Sequence, residues 1–333
     1  MKNPIQRFST IVILGMSSAI AQVVEIDMDM VQHAKGVFLE RVITEHEFKR
    51  SEITRILDNA QIDAQILETI SRPAERVLPW HEYRKIFLND ARIHGGVEFW
   101  RDHVHEVASA SEVYSVAPEL LVAILGIETY YGQRMGGYRV IDSLATLAFA
   151  YPPRSAFFTS ELEAFFLLAR EEGIDPEEVL GSYAGAMGAG QFISSSYRAY
   201  AVDGDADGQR NLWGNWQDIL ASVANYFSSH GWQWDQPVVD RASLSRTWSG
   251  TEFPNSMNLD ETITSLSNAG YVLSAELPGE TPATPLSLEG EDGQEYWIGY
   301  HNFYVITRYN RSVMYALVAY QLSQAILAEY EQS

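Results

Sequence analysis

Apolar residues recur at three- and four-residue spacing through most of the chain, and that spacing predicts helices. Residues 22–77 carry mixed-charge helical pattern, as in HEFKRSEITRILDNAQ. From 78 to 235 the pattern continues through WHEYRKIFL, VEFWRDHVHEVA, FFTSELEAFFLLAREEG and QDILASVANYFSSHGW, with glycines at the expected stops. Between 236 and 305 Pro, Ser, Thr and Gly punctuate short runs such as YVLSAEL, TPLSLEG and EYWIGY, which read as a small β-containing region. The segment 306–333 returns to an amphipathic helix, RSVMYALVAYQLSQAILAEYEQ. The expected class is therefore mainly α with a small β region (α+β). No repeat or low-complexity tract interrupts it.

One helix carries an anomaly. In LVAILGIETYYG, Leu121 to Gly132, the residues three, four and seven positions before Glu128 are Leu125, Ile124 and Leu121. Pro118 suits the first turn, and Gly132 suits a position just past the last. Glu128 thus stands on the apolar stripe near the C-terminal end. Burial and the negative end of the helix dipole both favour its protonated form. A carboxylic acid that keeps its proton can give it to a leaving group. A buried glutamate paired with Arg134 or Arg139 would read the same way.

Composition narrows the chemistry. The 333 residues are 46% hydrophobic and 20% charged, with a formal net charge of −21. Such a surface repels phosphate backbones and anionic lipid heads, which argues against nucleic-acid partners. The N-terminus reads as a signal peptide over 1–21. Lys2 and Arg7 precede the apolar run Phe8 to Ile20, and Ala19-Ile20-Ala21 offers a small-x-small cleavage site. A buried N-terminal helix is the other reading. Cleavage after Ala21 would take the formal charge from −21 to −23. The chain has no cysteine, hence no disulfide, no thiol nucleophile and no lipid-bearing cysteine. The expected protein is exported, soluble and periplasmic, without a membrane anchor.

Nucleophile-elbow, phosphate-loop and H-E-x-x-H motifs are absent. His103 and His105 would face different sides of a helix, so they read as surface residues. Two stretches stand out. In DGDADGQRN, Asp203, Asp205 and Asp207 alternate and Gly208 supplies a sharp turn, as at the start of a calcium loop. The Gln209 carbonyl would be the next ligand. Gly214 occupies the position where a bidentate glutamate belongs, and Asp218 is the next carboxylate. A solvated acidic turn is the alternative. The second stretch, GSYAGAMGAGQFISSSYRAYA from Gly181, mixes glycine and alanine with Ser182 and Gln191. It allows close backbone approach, either in tight helix packing or in a binding cleft. The 18 Tyr, 14 Phe and 8 Trp could include groups that meet the apolar faces of sugars.

Together these stretches resemble the lytic murein transglycosylases of the B type, glycoside hydrolase family 103. The likeness rests on GIETYYG, IDSLATLAFAYPPR, GSYAGAMGAGQFISSSYRAYAVDGDADG, ASVANYF, HGW and NFYVITRYNRSVMYA, and runs from about Leu78 to Ile326. It implies a lysozyme-like catalytic core at 78–235, beside the α-helical domain and the small β domain. It places Glu128 on the family's catalytic glutamate. That residue would cleave the MurNAc-β-1,4-GlcNAc bond without water, acting as acid and then as base, to leave 1,6-anhydro-MurNAc ends. Ser182 and Gln191 would sit in the cleft. Asn310 would help hold the acetamido group, and Tyr83, Tyr226, Tyr309 and Tyr315 would line sugar subsites. The acidic loop 203–218 matches the family's structural Ca²⁺ site: Asp203, Asp205, Asp207, Gln209 and, one residue late, Asp218. No organic cofactor is implied. Ser194 stands where the family has proline. Partners would be peptidoglycan strands and cell-wall synthesis or division proteins. A hydrolytic muramidase and a non-catalytic peptidoglycan-binding scaffold are the alternative functions.

Overall fold

The computed structural model describes residues 26–71, 78–246, 248, 250, 253–274 and 276–333; the expected signal peptide lies outside them. The helices are α1 (Met28–His46), α2 (Arg50–Asn59), α3 (Ala64–Ile70), α4 (Trp80–Tyr83), α5 (Asp90–Asp102), α6 (Val104–Tyr114) and α7 (Pro118–Thr129). They continue as α8 (Val140–Ala150), α9 (Ser155–Glu172), α10 (Ser194–Tyr200), α11 (Trp216–Ser229), α12 (Ile263–Ala269), α13 (His301–Tyr309) and α14 (Val313–Gln332). The chain is mainly helical with a small antiparallel sheet, as the patterning predicts. Among the described residues no single helix is long and apolar enough to cross a membrane.

Helix α7 is the axis of the core. Every residue from Leu120 to Gly126 is buried, against α5, α6 and α14. Pro118 opens it, as expected. It stops at Thr129, earlier than Gly132 suggested, because Tyr130 (φ 52°) and Tyr131 (φ 59°) turn left-handed first. Left-handed backbone costs a non-glycine residue roughly 1–2 kcal/mol. Tertiary hydrogen bonds offset it: the Tyr131 hydroxyl donates to Arg92 O (2.6 Å) and that of Tyr130 to Ala91 O (3.2 Å). Gly132 (φ 81°) then has to be glycine, since a Cβ there would lie 2.8 Å from the Trp216 ring.

The glycine–alanine stretch is neither helix nor tight helix packing. Strand β2 (Leu180–Gly181) pairs with β1 (Tyr138–Arg139), and Met187 bridges to both Gly181 and Phe192. A doubled-back loop results, ending at the start of α10.

The β region forms one sheet in the order β4 (Glu261–Thr262), β6 (Pro282–Gly290), β7 (Gly293–Gly299), β3 (Val239–Leu244) and β5 (Tyr271–Val272). All its pairings are antiparallel, and β6 and β7 form a hairpin. It keeps a small core of its own around Leu266, Tyr271, Ile298 and Tyr300. Leu286 and Leu288 instead join the main core, as do Phe38 and Val42 of α1. Trp80 Nε1 donates to Glu295 (3.2 Å), tying α4 to β7.

Candidate active site

Glu128 occupies the last turn of α7, half-buried. The Tyr315 hydroxyl donates to its Oε1 at 2.6 Å. Tyr315 stands at the start of α14, whose N-cap Ser312 accepts from Tyr315 N. Burial first, and then the Glu128 charge, pushes the Tyr315 phenol well above its ordinary pKa, so it stays a donor. Tyr309 is shifted the same way by burial and then by Glu128. Arg134 lies over the Tyr130 ring at 5.1 Å, and Arg139 donates to Glu177 O at 3.0 Å.

The next residue fastens this helix end to the glycine-rich loop. The buried Thr129 hydroxyl donates to Ala189 O (2.8 Å) and accepts from Gly132 N (3.0 Å). One residue further along the loop, Gly190 O accepts from the Tyr309 hydroxyl at 2.5 Å. Gln191 (φ 51°) follows, its Nε2 donating to Met135 O (3.1 Å) and Gly188 O (3.0 Å). At the loop's other end Ser182 Oγ accepts from Ala186 N (3.0 Å) and Ala184 N (3.3 Å).

A cavity of about 780 Å³ opens beside this arrangement. Gln191, Tyr226, Tyr309 and Asn310 line it, with Arg154 and Arg311. The Tyr226 hydroxyl is engaged by Arg308 O (2.6 Å), and burial is the largest cause pushing its pKa up to about 12. Tyr83 and Tyr315, expected at sugar subsites, are 1% and 2% exposed and do not line the cavity. Ser182 is absent from the lining too, though its neighbours Tyr183 and Ala184 belong to it. No carboxylate, Glu128 included, is among the described lining residues. Sequence reasoning missed Thr129, Arg154 and Arg311, although each lies inside a motif quoted above.

The acidic loop gathers three carboxylates. Asp203, Asp205 and Asp218 each offer an oxygen within 4.8 Å of the others. Asp218, in the first turn of α11, is fully buried and accepts from Gly204 N and Asn211 N, both at 2.7 Å. Burial pushes its carboxyl up, against those amides, and the charges of Asp205 and Asp203 push the same way. Asp203 is held below its usual range, chiefly by Gly208 N–H. Asp207 stands outside the trio and accepts from Gln209 N at 2.8 Å. Hard oxygens converging around one buried carboxylate fit calcium, and a cation would relieve their repulsion. The other such group among the described residues, Glu45, His46 and Glu163, has a cation already, since Arg41 pairs with Glu163.

Residues 31–324 match the family described as "Transglycosylase SLT domain". Membrane-bound lytic murein transglycosylase B of Escherichia coli is 39% identical over 298 residues, covering 87% of this chain and 81% of the relative. Soluble lytic transglycosylase SltB1 of Pseudomonas aeruginosa superposes with a TM-score of 0.84 at 43% identity, covering 89% of this chain and 99% of that one. The E. coli lytic transglycosylase Slt35, solved in complex with calcium, gives 0.81 at 39%, covering 90% and 94%. SltB3 of P. aeruginosa, solved with NAG-anhNAM-pentapeptide, gives 0.73 at 28%, covering 89% and 79%. The protein is thus a lytic transglycosylase with a mainly helical, Slt35-like fold. The chain belongs to the lytic murein transglycosylase B family and is a peptidoglycan-directed enzyme.

Proposed function

We propose that the protein cleaves the MurNAc-β-1,4-GlcNAc bond without water, and that Glu128 is both its acid and its base. Glu128 gives its proton to the glycosidic oxygen as the bond to C1 breaks. The muramoyl acetamido oxygen holds C1 meanwhile. The Glu128 carboxylate then takes the proton of the C6 hydroxyl, whose oxygen bonds C1 and closes the 1,6-anhydro ring. The acid is regenerated and no atom is left over. An intramolecular hydroxyl has a high effective molarity and outcompetes water.

The observation that carries this reading is the neutral Tyr315 donor on Glu128, 2.6 Å away. A phenol that keeps its proton tolerates both forms of the glutamate, whereas an arginine partner would lock it charged. Gln191 and Asn310 would hold the sugar's polar edges, and Ser182 would shape the loop under them. Tyr226 and Tyr309 would offer ring faces, while Tyr83 and Tyr315 would act from within the wall. Arg154, Arg308 and Arg311 give an acidic chain a cationic lining suited to carboxylate-bearing glycan. SltB3's ligand, NAG-anhNAM-pentapeptide, contains the anhydro sugar this route would make.

Asp203, Asp205 and Asp218 would hold calcium, with Asp207 and the Gln209 carbonyl completing the set. Its role there would be structural: the ion would fix the chain entering α11. The export pattern at 1–21 and the missing cysteine support a soluble periplasmic protein.

Digestion of purified sacculi, with products resolved by mass spectrometry, tests the mechanism. Muropeptides lacking a reducing end, one water lighter than hydrolysis products, are expected. Reducing muropeptides would make the protein a muramidase. Retained binding with no release would make it a scaffold.

A further inference from the structure

A second cavity, of about 610 Å³, lies at the opposite end of α7 from Glu128. No described residue lines both cavities. Glu119 lines the second, nine positions before Glu128. At 1.5 Å and 100° per residue that is about 13 Å along the axis and half a turn around it. Glu119 therefore faces the other side of α7 from Glu128.

The second cavity's most prominent feature is an indole left in water. Trp234 is 55% exposed, yet its loop is clamped. Fully buried Asn302 accepts from Gln233 N (2.9 Å) and donates to Gln233 O (2.7 Å) and Gln236 O (3.1 Å). Asp235 between them is left-handed, φ 57°. A ring on pre-ordered backbone has already met much of the entropy loss that binding demands. Trp232 and Tyr320 add aromatic wall.

The charged groups on the wall have one sign. Glu119 and Asp235 line the cavity, and no Lys, Arg or His does so among the described residues. Half-buried Glu119 makes no ion pair with any described residue. Burial, then the charge of Glu331, raises its pKa. A half-buried carboxylate and an exposed one beside indole rings suit an ammonium group on a carbon stem. The carboxamides of Gln236 and Gln324, also on the wall, suit a carboxylate next to that ammonium.

We propose that this cavity binds the amino-acid end of a diamino-acid side chain in a peptidoglycan stem peptide, on a strand other than the one in the cleft. Glu119 and Asp235 take the ammonium, and Trp234 covers its carbon stem. The identity of the ligand rests on the peptidoglycan reading above. An uncrosslinked stem peptide keeps this amine free, and the acceptor stem of a crosslink does not, so the site would favour wall regions with free peptides.

The test is calorimetric titration of the mature protein with N-acetyl-L-Ala-γ-D-Glu-meso-diaminopimelate, and with the same peptide acetylated on its side-chain amine. Saturable binding of the free amine is expected, roughly tenfold weaker after acetylation and in Trp234→Ala or Glu119→Gln. Both variants should cut peptide-stripped glycan at the wild-type rate, which also shows that they fold. No binding, equal binding of the acetylated peptide, or binding that neither variant weakens overturns the proposal. Should the wild type leave stripped glycan uncut, the glycan-cleaving reading fails, and the titration still decides the cavity.

Discussion

Two regions of this molecule handle carboxylates in opposite ways. At the end of α7 one glutamate meets a neutral phenol, with no carboxylate among the described residues lining the adjoining cavity. At the start of α11 three aspartates crowd within 4.8 Å, one of them fully buried. A carboxylate that meets a neutral donor can hold that contact in either protonation state. Three crowded ones repel one another, and a cation would relieve that repulsion. The proposed function assigns proton chemistry to the first place and rigidity to the second. If so, damage to the first should remove turnover and spare stability, and damage to the second should do the reverse.

The largest effect is expected from Glu128→Gln. The amide has the same shape but no proton to give, and turnover of sacculi should fall about 10³-fold or more. The melting temperature should stay within a degree or two. A variant that still released anhydro-muropeptides would remove Glu128 from the mechanism.

Tyr315→Phe sharpens the same side. A hydrogen bond to a charged group is worth about 1.5–3 kcal/mol, which predicts a kcat loss of roughly 10- to 100-fold. The donor favours the ionised carboxylate, so its removal favours the protonated one. The alkaline limb of the kcat profile, where the acid has lost its proton, should therefore move to higher pH. Burial keeps the phenol protonated well beyond its ordinary range, so its own ionisation does not set that limb. An unmoved limb together with a lowered KM would point to substrate contact instead.

How far the sequence announced these two places differs with the range of the forces involved. Glu128 was legible, because three aliphatic residues on one helix face define a stripe locally. The helix stop was not. Tyr130 and Tyr131 accept left-handed backbone only because Ala91 and Arg92 wait with carbonyl oxygens. Composition at Gly181 to Gln191 left helix packing and cleft equally open; pairing with Tyr138 and Arg139, some forty residues upstream, decides for a loop. The family resemblance supplied candidate residues but not their exposure, which is 1% for Tyr83 and 2% for Tyr315. Asp218 was legible by elimination, as the next carboxylate after the departure at Gly214. Its capture of Gly204 and Asn211 amides was not.

Calcium probes the second region. A ligand bound only by the folded state at a hundredfold over its Kd adds about 2.7 kcal/mol. Added calcium should therefore raise the melting temperature by several degrees, and chelator should reverse it. Asp218→Asn should abolish that response and, with calcium present, lower stability by about 1–3 kcal/mol, since one amide loses its carboxylate partner. The activity of the molecules that remain folded should change little. A melting temperature indifferent to both calcium and chelator would refute the metal assignment.

The smallest effect tests whether a place between the two regions carries avoidable strain. Ser194 opens α10, directly after the glycine-rich loop and ahead of the acidic one. It is fully buried, and its hydroxyl has no hydrogen-bond partner among the described residues. First helical positions need no amide donor, which is why proline is favoured there. The preceding Ile193 is already extended (φ −71°, ψ 161°), as a residue before proline must be. Ser194→Pro would remove a buried orphan hydroxyl and restrict the unfolded chain, a gain of about 0.5–1 kcal/mol. The melting temperature should rise by a degree or two with kcat unchanged. A fall in both would mean that the start of α10 tightens against the loop carrying Gln191, and that the two regions are coupled through it.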